Sequence, residues 1–177
     1  MPLDLAELTA ASFLGVYDMR PSPMIPEVLE NDDRYVRDKI TKIVWHRCKN
    51  RILYADTDRS QVVYHANYLR YFELGRASLM RDAAYTYKAI EDSGYIYPII
   101  EIGINYYSPI YYDDQICIYT HPAELERVRL RFDYIITHEE TNDIICKGFT
   151  RHCATNSSGT PVAVDEKTAH LWKVFPK

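Results

Sequence analysis

Residues 54–68 read Tyr54-Ala-Asp-Thr-Asp-Arg-Ser-Gln-Val-Val-Tyr-His-Ala-Asn-Tyr68. A polar run from Asp56 to Gln61 carries two carboxylates, then gives way to Val62 and Val63 and a long helical pattern. Tyr68, Phe72, Gly75, Leu79 and Ala83 recur at helical spacing, and Leu69 and Met80 widen the stripe, which predicts a helix over 67–83. Arg70, Glu73 and Arg81 mark its other faces. Gly75 weakens a helix by ~1 kcal/mol relative to alanine, so it suits a place where the helix axis must lie close to a sheet.

Upstream, residues 42–54 carry the β-favouring bulk of Val44, Trp45, Ile52 and Leu53 around a polar centre. Downstream, strands are predicted over 102–107, 115–121, 127–137 and 144–154, with turn residues at 108–109, 113–114, 138–143 and 157–161. The third alternates most cleanly, with Val128, Leu130, Phe132, Tyr134 and Ile136 opposite Arg127, Arg129, Arg131 and Asp133. Asp165 is placed to cap a short terminal helix running toward Trp172. No helix separates the later strands, which argues against βαβ units. The expected class is α+β: a curved antiparallel five-stranded sheet wrapped around a central helix, with a sheet edge shielded by a partner subunit.

Residues 1–40 read as an N-terminal extension to a domain over 41–177. They contain a candidate helix over 5–13 with Asp4 near its start, the breakers Pro21, Pro23 and Pro26, and an acidic run at 27–33.

A chain of 177 residues suffices for one domain. It can bury about two-thirds of its extended surface without disulfides or metal. The 21 basic and 25 acidic residues leave a net charge of −4, with no footprint for nucleic acid. Two or three local cations would still serve an anionic small molecule. The 16 tyrosines suit partly buried sheets, ligand grooves and interfaces. Cys48, Cys117, Cys146 and Cys153 are scattered, which points to reduced thiols. The first twenty residues lack a basic export segment, and no uncharged run approaches the ~18 residues of a membrane span. The expected compartment is the cytoplasm, with no integral membrane association.

Asp56-Thr-Asp58 followed by Val62-Val-Tyr-His-Ala-Asn-Tyr-Leu-Arg-Tyr-Phe-Glu73, together with Tyr111-Tyr-Asp-Asp114, resembles the hotdog-fold acyl-CoA thioesterases of the 4-hydroxybenzoyl-CoA thioesterase type. The similarity runs over 43–161. It implies a hotdog fold, with Asp58 as the essential carboxylate and the backbone N–H of His65, at the helix start, polarising the thioester carbonyl. It also implies a homodimer or a dimer-of-dimers tetramer with sites across the subunit interface. The implied substrate is an acyl-CoA with a small or aromatic acyl group, no cofactor being needed beyond the coenzyme A of the substrate. Related members use longer chains or acyl carrier protein. This sequence departs from the pattern at Gln61, where a glycine is usual, at Arg129, where serine is frequent, and in residues 1–40.

The chemistry fits these positions. Asp58 can attack the thioester carbonyl or activate a water, and both routes stay open. Free N–H groups at a helix start can stabilise the oxyanion for ~3 kcal/mol. The His65 side chain is either catalytic or positional. Tyr64 is a candidate wall of the acyl pocket, Asn67 a candidate cap, Asp56 an organiser of the loop, and Glu73 a reserve carboxylate or an ion-pair partner. Arg127 and Arg129 are candidate ligands for coenzyme A phosphates. His152-Cys153 and the His46, Cys48 pair lack zinc spacing, so no metal is expected. Alternatives are a thioesterase acting on acyl carrier protein, a hotdog dehydratase and a nonenzymatic acyl-CoA-binding module.

Overall fold

The strictest alternation in the sequence becomes a strand whose inner face is buried and whose outer face is buried toward its end, at Ile135 and Thr137. In β7, Arg129–His138, the side chains of Leu130, Phe132, Tyr134 and Ile136 are buried, while Arg129 is exposed. The structure is a computed structural model and describes residues 20–29 and 32–176. Strand β7 pairs antiparallel with β6, Gln115–Leu125, and with β8, Ile144–Cys153. Beyond them lie β3, Val44–Arg51, paired to β6, and β5, Ile99–Tyr106, paired to β8. These are the expected five strands.

Two more strands come from the segment read as an extension. β1, Pro26–Leu29, and β2, Asp32–Asp38, continue the sheet past β3 and give the order β1-β2-β3-β6-β7-β8-β5. Pro26 opens an edge strand, where a missing N–H costs no ladder bond. Asp38, buried at the end of β2, accepts the N–H groups of Ile25, Ile40 and Thr41 at 3.2, 3.3 and 3.1 Å. The sequence reading had placed it only within the N-terminal extension. The candidate helix over 5–13 lies outside the described residues.

The central helix α1, Asn67–Asp82, lies against the inner face of the sheet. A Cβ at Gly75 would stand 2.6 Å from Thr120 Oγ1 and 2.7 Å from Ile118 Cγ2, so glycine there sets how closely the helix approaches β6. Phe72 stacks on Tyr134 with centroids 4.3 Å apart and planes 7° from parallel. The buried stripe is Tyr68, Tyr71, Phe72, Gly75, Arg76, Leu79 and Met80, whereas Leu69 is exposed. A second helix, α2 over Tyr87–Asp92, and a two-stranded pair of β4, Tyr95–Ile96, with β9, Thr155–Asn156, were not anticipated. The terminal helix α3, Glu166–Val174, starts as expected, with Asp165 accepting the Thr168 N–H at 2.9 Å.

The outer face carries a second cluster of Met24, Val36, Trp45, Cys117, Tyr119, Ile135 and Ile144. All four cysteines are free. Among the described residues no helix is long and apolar enough to cross a membrane.

Arg76 is the surprise on the inner face. Its Nη1 lies 3.3 Å from Tyr134 Oη, 3.4 Å from Thr150 Oγ1 and 3.2 Å from His152 Nε2. His152 Nδ1 is 2.9 Å from the Tyr97 carbonyl, an acceptor only, so Nδ1 carries the proton and Nε2 accepts. Burial, reinforced by the Arg76 charge, pushes the His152 pKa from 6.5 down to about 4. The unfolded chain therefore binds this proton near pH 6.5 and the folded chain only near pH 4. The stabilisation is complete above 6.5 and is lost as pH falls toward 4, by on the order of 3 kcal/mol. His46 and His121, also lowered by burial, act in the same direction. Urea titrations at pH 7 and 4.5 are expected to show this loss, with a flatter pH dependence in His152→Gln. An unchanged dependence in that variant would remove His152 from the account.

Candidate active site

The segment after β3 folds back on itself around Asp58. The Asp58 N–H donates to Val62 O at 3.0 Å, the Gln61 N–H to Asp58 O at 2.9 Å, and Thr57 bridges Val63. This is a tight hairpin whose last loop residue, Gln61, has φ +68°, the left-handed bulge position that glycine fills at least cost. The absent glycine thus has a geometric meaning. Left-handed backbone costs a side-chain-bearing residue ~1–2 kcal/mol, part of which glycine returns through the entropy of its unfolded state. Gln61→Gly is expected to raise the melting temperature by a few degrees, a net gain of about 0.5–1 kcal/mol. A lower melting temperature would mean that the Gln61 side chain holds the loop.

Asp58 itself is exposed. Its Oδ1 accepts the Ser60 N–H at 2.7 Å and a short hydrogen bond from the Ser60 hydroxyl. The Ser60 hydroxyl, then the Ser60 N–H, and more weakly the His65 imidazole hold its carboxyl below the ordinary aspartate pKa. It is therefore an anion at neutral pH, able to act as a nucleophile or a base.

Asp56 does the opposite job. It is buried, its Oδ2 accepts the Leu53 N–H at 3.0 Å, and its Oδ1 pairs with Arg70 at 3.2 Å. Its carbonyl accepts the Tyr64 N–H at 2.9 Å and the Asn67 Nδ2 at 2.8 Å. Asn67 thus ties the helix start to the loop; the capping position is Ala66, which has no side-chain cap bond. Nearby, burial and then the Asp56 charge push the Tyr71 phenol up.

At the start of α1 the Tyr64 N–H goes to Asp56 and the Asn67 N–H to Tyr64 O at 2.8 Å. The N–H groups of His65 and Ala66, between them, take no part in this pattern. The His65 carbonyl is held by the Tyr106 hydroxyl at 2.9 Å. The imidazole is exposed against Tyr64, centroids 4.4 Å apart, and makes no hydrogen bond to Asp58. Glu73 is exposed and ion-paired to Arg76, away from the Asp58 loop.

Arg127 and Arg129 lie at the other end of the sheet. The Asp58 loop adjoins Ile110 and Tyr111, before β6, whereas Arg129 opens β7, about 30 Å of strand away from His138. One subunit alone does not bring the arginines to Asp58. Of the guanidiniums on that face, Arg131 is taken by Glu124 and Asp133, and Arg151 by Glu101 and Glu124. Arg127 and Arg129 have no side-chain partner among the described residues.

Residues 52–171 match the thioesterase-like superfamily. The chain belongs to that family. The Bacillus subtilis (strain 168) protein YneP is 30% identical over 112 residues, covering 63% of this chain and 80% of the relative. The acyl-CoA thioester hydrolase YbgC of Escherichia coli O157:H7 is 29% identical over 90 residues, covering 51% and 67%. The 1,4-dihydroxy-2-naphthoyl-CoA thioesterase Slr0204 from Synechocystis, 16% identical, superposes with a TM-score of 0.69 over 73% of this chain and 96% of its own, a likeness of fold. The hotdog architecture and the thioesterase assignment expected from the sequence both hold.

Within this thioesterase, sequence reasoning found the loop carboxylates and the helix start. It missed Ser60, Arg70, Arg76 and Tyr106 as supports. Ser60 was legible, since an aspartate readily bonds the N–H two residues on. Tyr106 was not, being 41 residues from His65 with no local signal.

Proposed function

We propose that the protein hydrolyses a short-chain or aromatic acyl-CoA to the free acid and coenzyme A, with Asp58 supplying or activating the oxygen nucleophile. In the base route a water activated by Asp58 adds to the carbonyl, the C–S bond breaks, and the proton taken from water goes to the departing thiolate. In the nucleophile route Asp58 displaces the thiolate to form a mixed anhydride, which water then cleaves to the free acid and the regenerated carboxylate. The observation that carries this is the exposed, ionised Asp58 beside a helix start whose His65 and Ala66 N–H groups are left out of the local hydrogen-bond pattern. Such donors, aided by the aligned helix peptides, favour charge on the carbonyl oxygen. Asp56 and Asn67 hold the two devices in register, Tyr64 walls the acyl group, and His65 acts through its backbone. Glu73 serves as the counter-ion of Arg76. No metal or further cofactor is required by this chemistry.

The working unit in this reading is a homodimer through β5. Among the described residues that strand pairs on one edge only, and Ile99, Ile100 and Ile102 on it are exposed. The opposite sheet edge, β1, is short and irregular at Leu29, as protected edges are. β5 is long and apolar, which is what a partner strand would cover. Its Tyr106 end carries His65, and its Ile99 end registers with His152 and, through β8, with Leu130. Antiparallel pairing of two β5 strands sets the Tyr106 end of one subunit beside the Ile99 end of the other. Arg127 and Arg129 of the partner subunit would then stand at the Asp58 end, where coenzyme A phosphates need cations.

Thiol release followed with DTNB across short, long and aromatic acyl-CoAs tests the activity. Turnover is expected with short or aromatic acyl groups. Release from acyl carrier protein alone would move the reading to that carrier, and tight binding of every acyl-CoA without release would make the protein a binding module.

A further inference from the structure

A cleft lies at the end of α1 opposite the Asp58 loop. It opens at the last turn of α1, whose 16 residues span about 24 Å from the His65 end. It also sits beside β2, across the sheet from β5. Tyr35, Met80, Tyr85, Leu171 and Phe175 wall a volume of about 310 Å³. An adjoining space of about 500 Å³ shares Ala83, Tyr85, Lys167 and His170 with it. Together they fall within the roughly 300–1,000 Å³ of small-molecule sites.

The charges of this cleft are unevenly satisfied. Asp82 is engaged on both oxygens: His46 Nε2 stands 2.7 Å from Oδ2, and Arg34 Nη1 donates to Oδ1 at 3.3 Å. Arg34 in turn pairs with Asp32 at 2.7 Å. Burial drives the His46 pKa down, so His46 serves this carboxylate as a neutral donor. At the rim the position is reversed. Lys167 has no carboxylate partner among the described residues, its ammonium lying 5.4 Å from the centre of the Tyr85 ring. His170, one turn further along α3, is exposed, and its imidazole makes no hydrogen bond among the described residues. Glu166 lines the adjoining space and is the one acidic side chain there among the described residues.

We propose that this cleft binds a medium-chain alkyl carboxylate, with the carboxylate on Lys167 and His170 and the tail between Met80, Leu171 and Phe175. Apolar walls favour burial of a hydrocarbon chain, at roughly 25 cal/mol per Å² removed from water. An ammonium with no carboxylate partner among the described residues and an imidazole at the mouth favour an anionic head group over a neutral one. Neither element alone selects a ligand; an amphipathic anion satisfies both. The assignment does not depend on the catalytic reading of Asp58.

The test uses the full chain with decanoate and decanol below their aggregation limits, followed by calorimetry and by amide shifts in two-dimensional NMR. Saturable decanoate binding is expected, with shifts on α3, β2 and the end of α1, and decanol at least tenfold weaker. Lys167→Glu with His170→Glu changes two exposed residues; it should keep the fold and weaken decanoate at least tenfold while leaving decanol unchanged. The absence of saturable decanoate binding, equal affinity for decanol, or shifts centred on the Asp58 loop would each overturn the proposal. So would a charge-reversed variant that binds decanoate like the parent.

Discussion

Asp58→Asn is expected to lower kcat for acyl-CoA hydrolysis about 10²–10⁴-fold, the usual worth of a positioned acid–base group, without loss of folding. Asparagine keeps an oxygen to accept the Ser60 N–H and hydroxyl, so the hairpin survives; what it loses is the negative charge and the capacity to attack or to take a proton. Asp58 is exposed and its charge contributes no buried pairing, so the melting temperature should barely move. The parent enzyme should lose kcat/KM on the acid side only below the ordinary aspartate range, because Ser60 holds the carboxyl down. Asp56→Asn is the informative contrast. That carboxylate is buried, bonded to Leu53 N–H and paired with Arg70, so its loss should register first in stability. If Asp58→Asn turned over acyl-CoA at the parent rate, Asp58 would be a turn residue and nothing more.

The contrast between the two aspartates also shows where sequence reading stopped. Both stand in one tripeptide, Asp56-Thr-Asp58, and local pattern gave them different tasks only through resemblance. Burial separates them, and burial depends on Leu53 and Arg70 coming together around a turn. The strands and α1 were legible because their side chains repeat with the period of the element that buries them. β1 and β2 were not: a proline-punctuated acidic segment reads as a tail, and its role in the sheet rests on Val36 packing with Trp45 and on Asp38 collecting turn N–H groups. Arg76 drew no reading from the sequence, since a helical arginine is ordinarily solvated and only Tyr134, Thr150 and His152 from distant strands give it a buried place. The meaning of Gln61 was half legible. A missing glycine could be seen in the sequence, but its left-handed φ could not.

Mixing two inactive or weakened variants should restore activity if each site draws on both subunits. Asp58→Asn removes the carboxylate from its own end, and Arg127→Glu with Arg129→Glu removes the cations from the other end of the sheet. In an isologous dimer the two defects meet in one site of a mixed dimer and leave the second site whole. Random reassortment makes half of the dimers mixed, so about a quarter of all sites should regain parent kinetics. The double arginine variant alone should show a raised KM for acyl-CoA with kcat largely kept, since phosphate contacts lie far from the scissile bond; its KM for a short acyl thioester without the nucleotide should not change. Arg127 and Arg129 are exposed and unpaired, so the variant should fold. The β5 edge supplies the complementary perturbation: Ile102→Asp places a charge in the proposed seam, and sedimentation should report monomers with little turnover. Mixed samples no more active than the sum of their parts, measured after confirmed subunit exchange, would confine each site to one chain. The arginines could not then serve the phosphates of a substrate held at Asp58, because one subunit keeps the two about a β7 length apart.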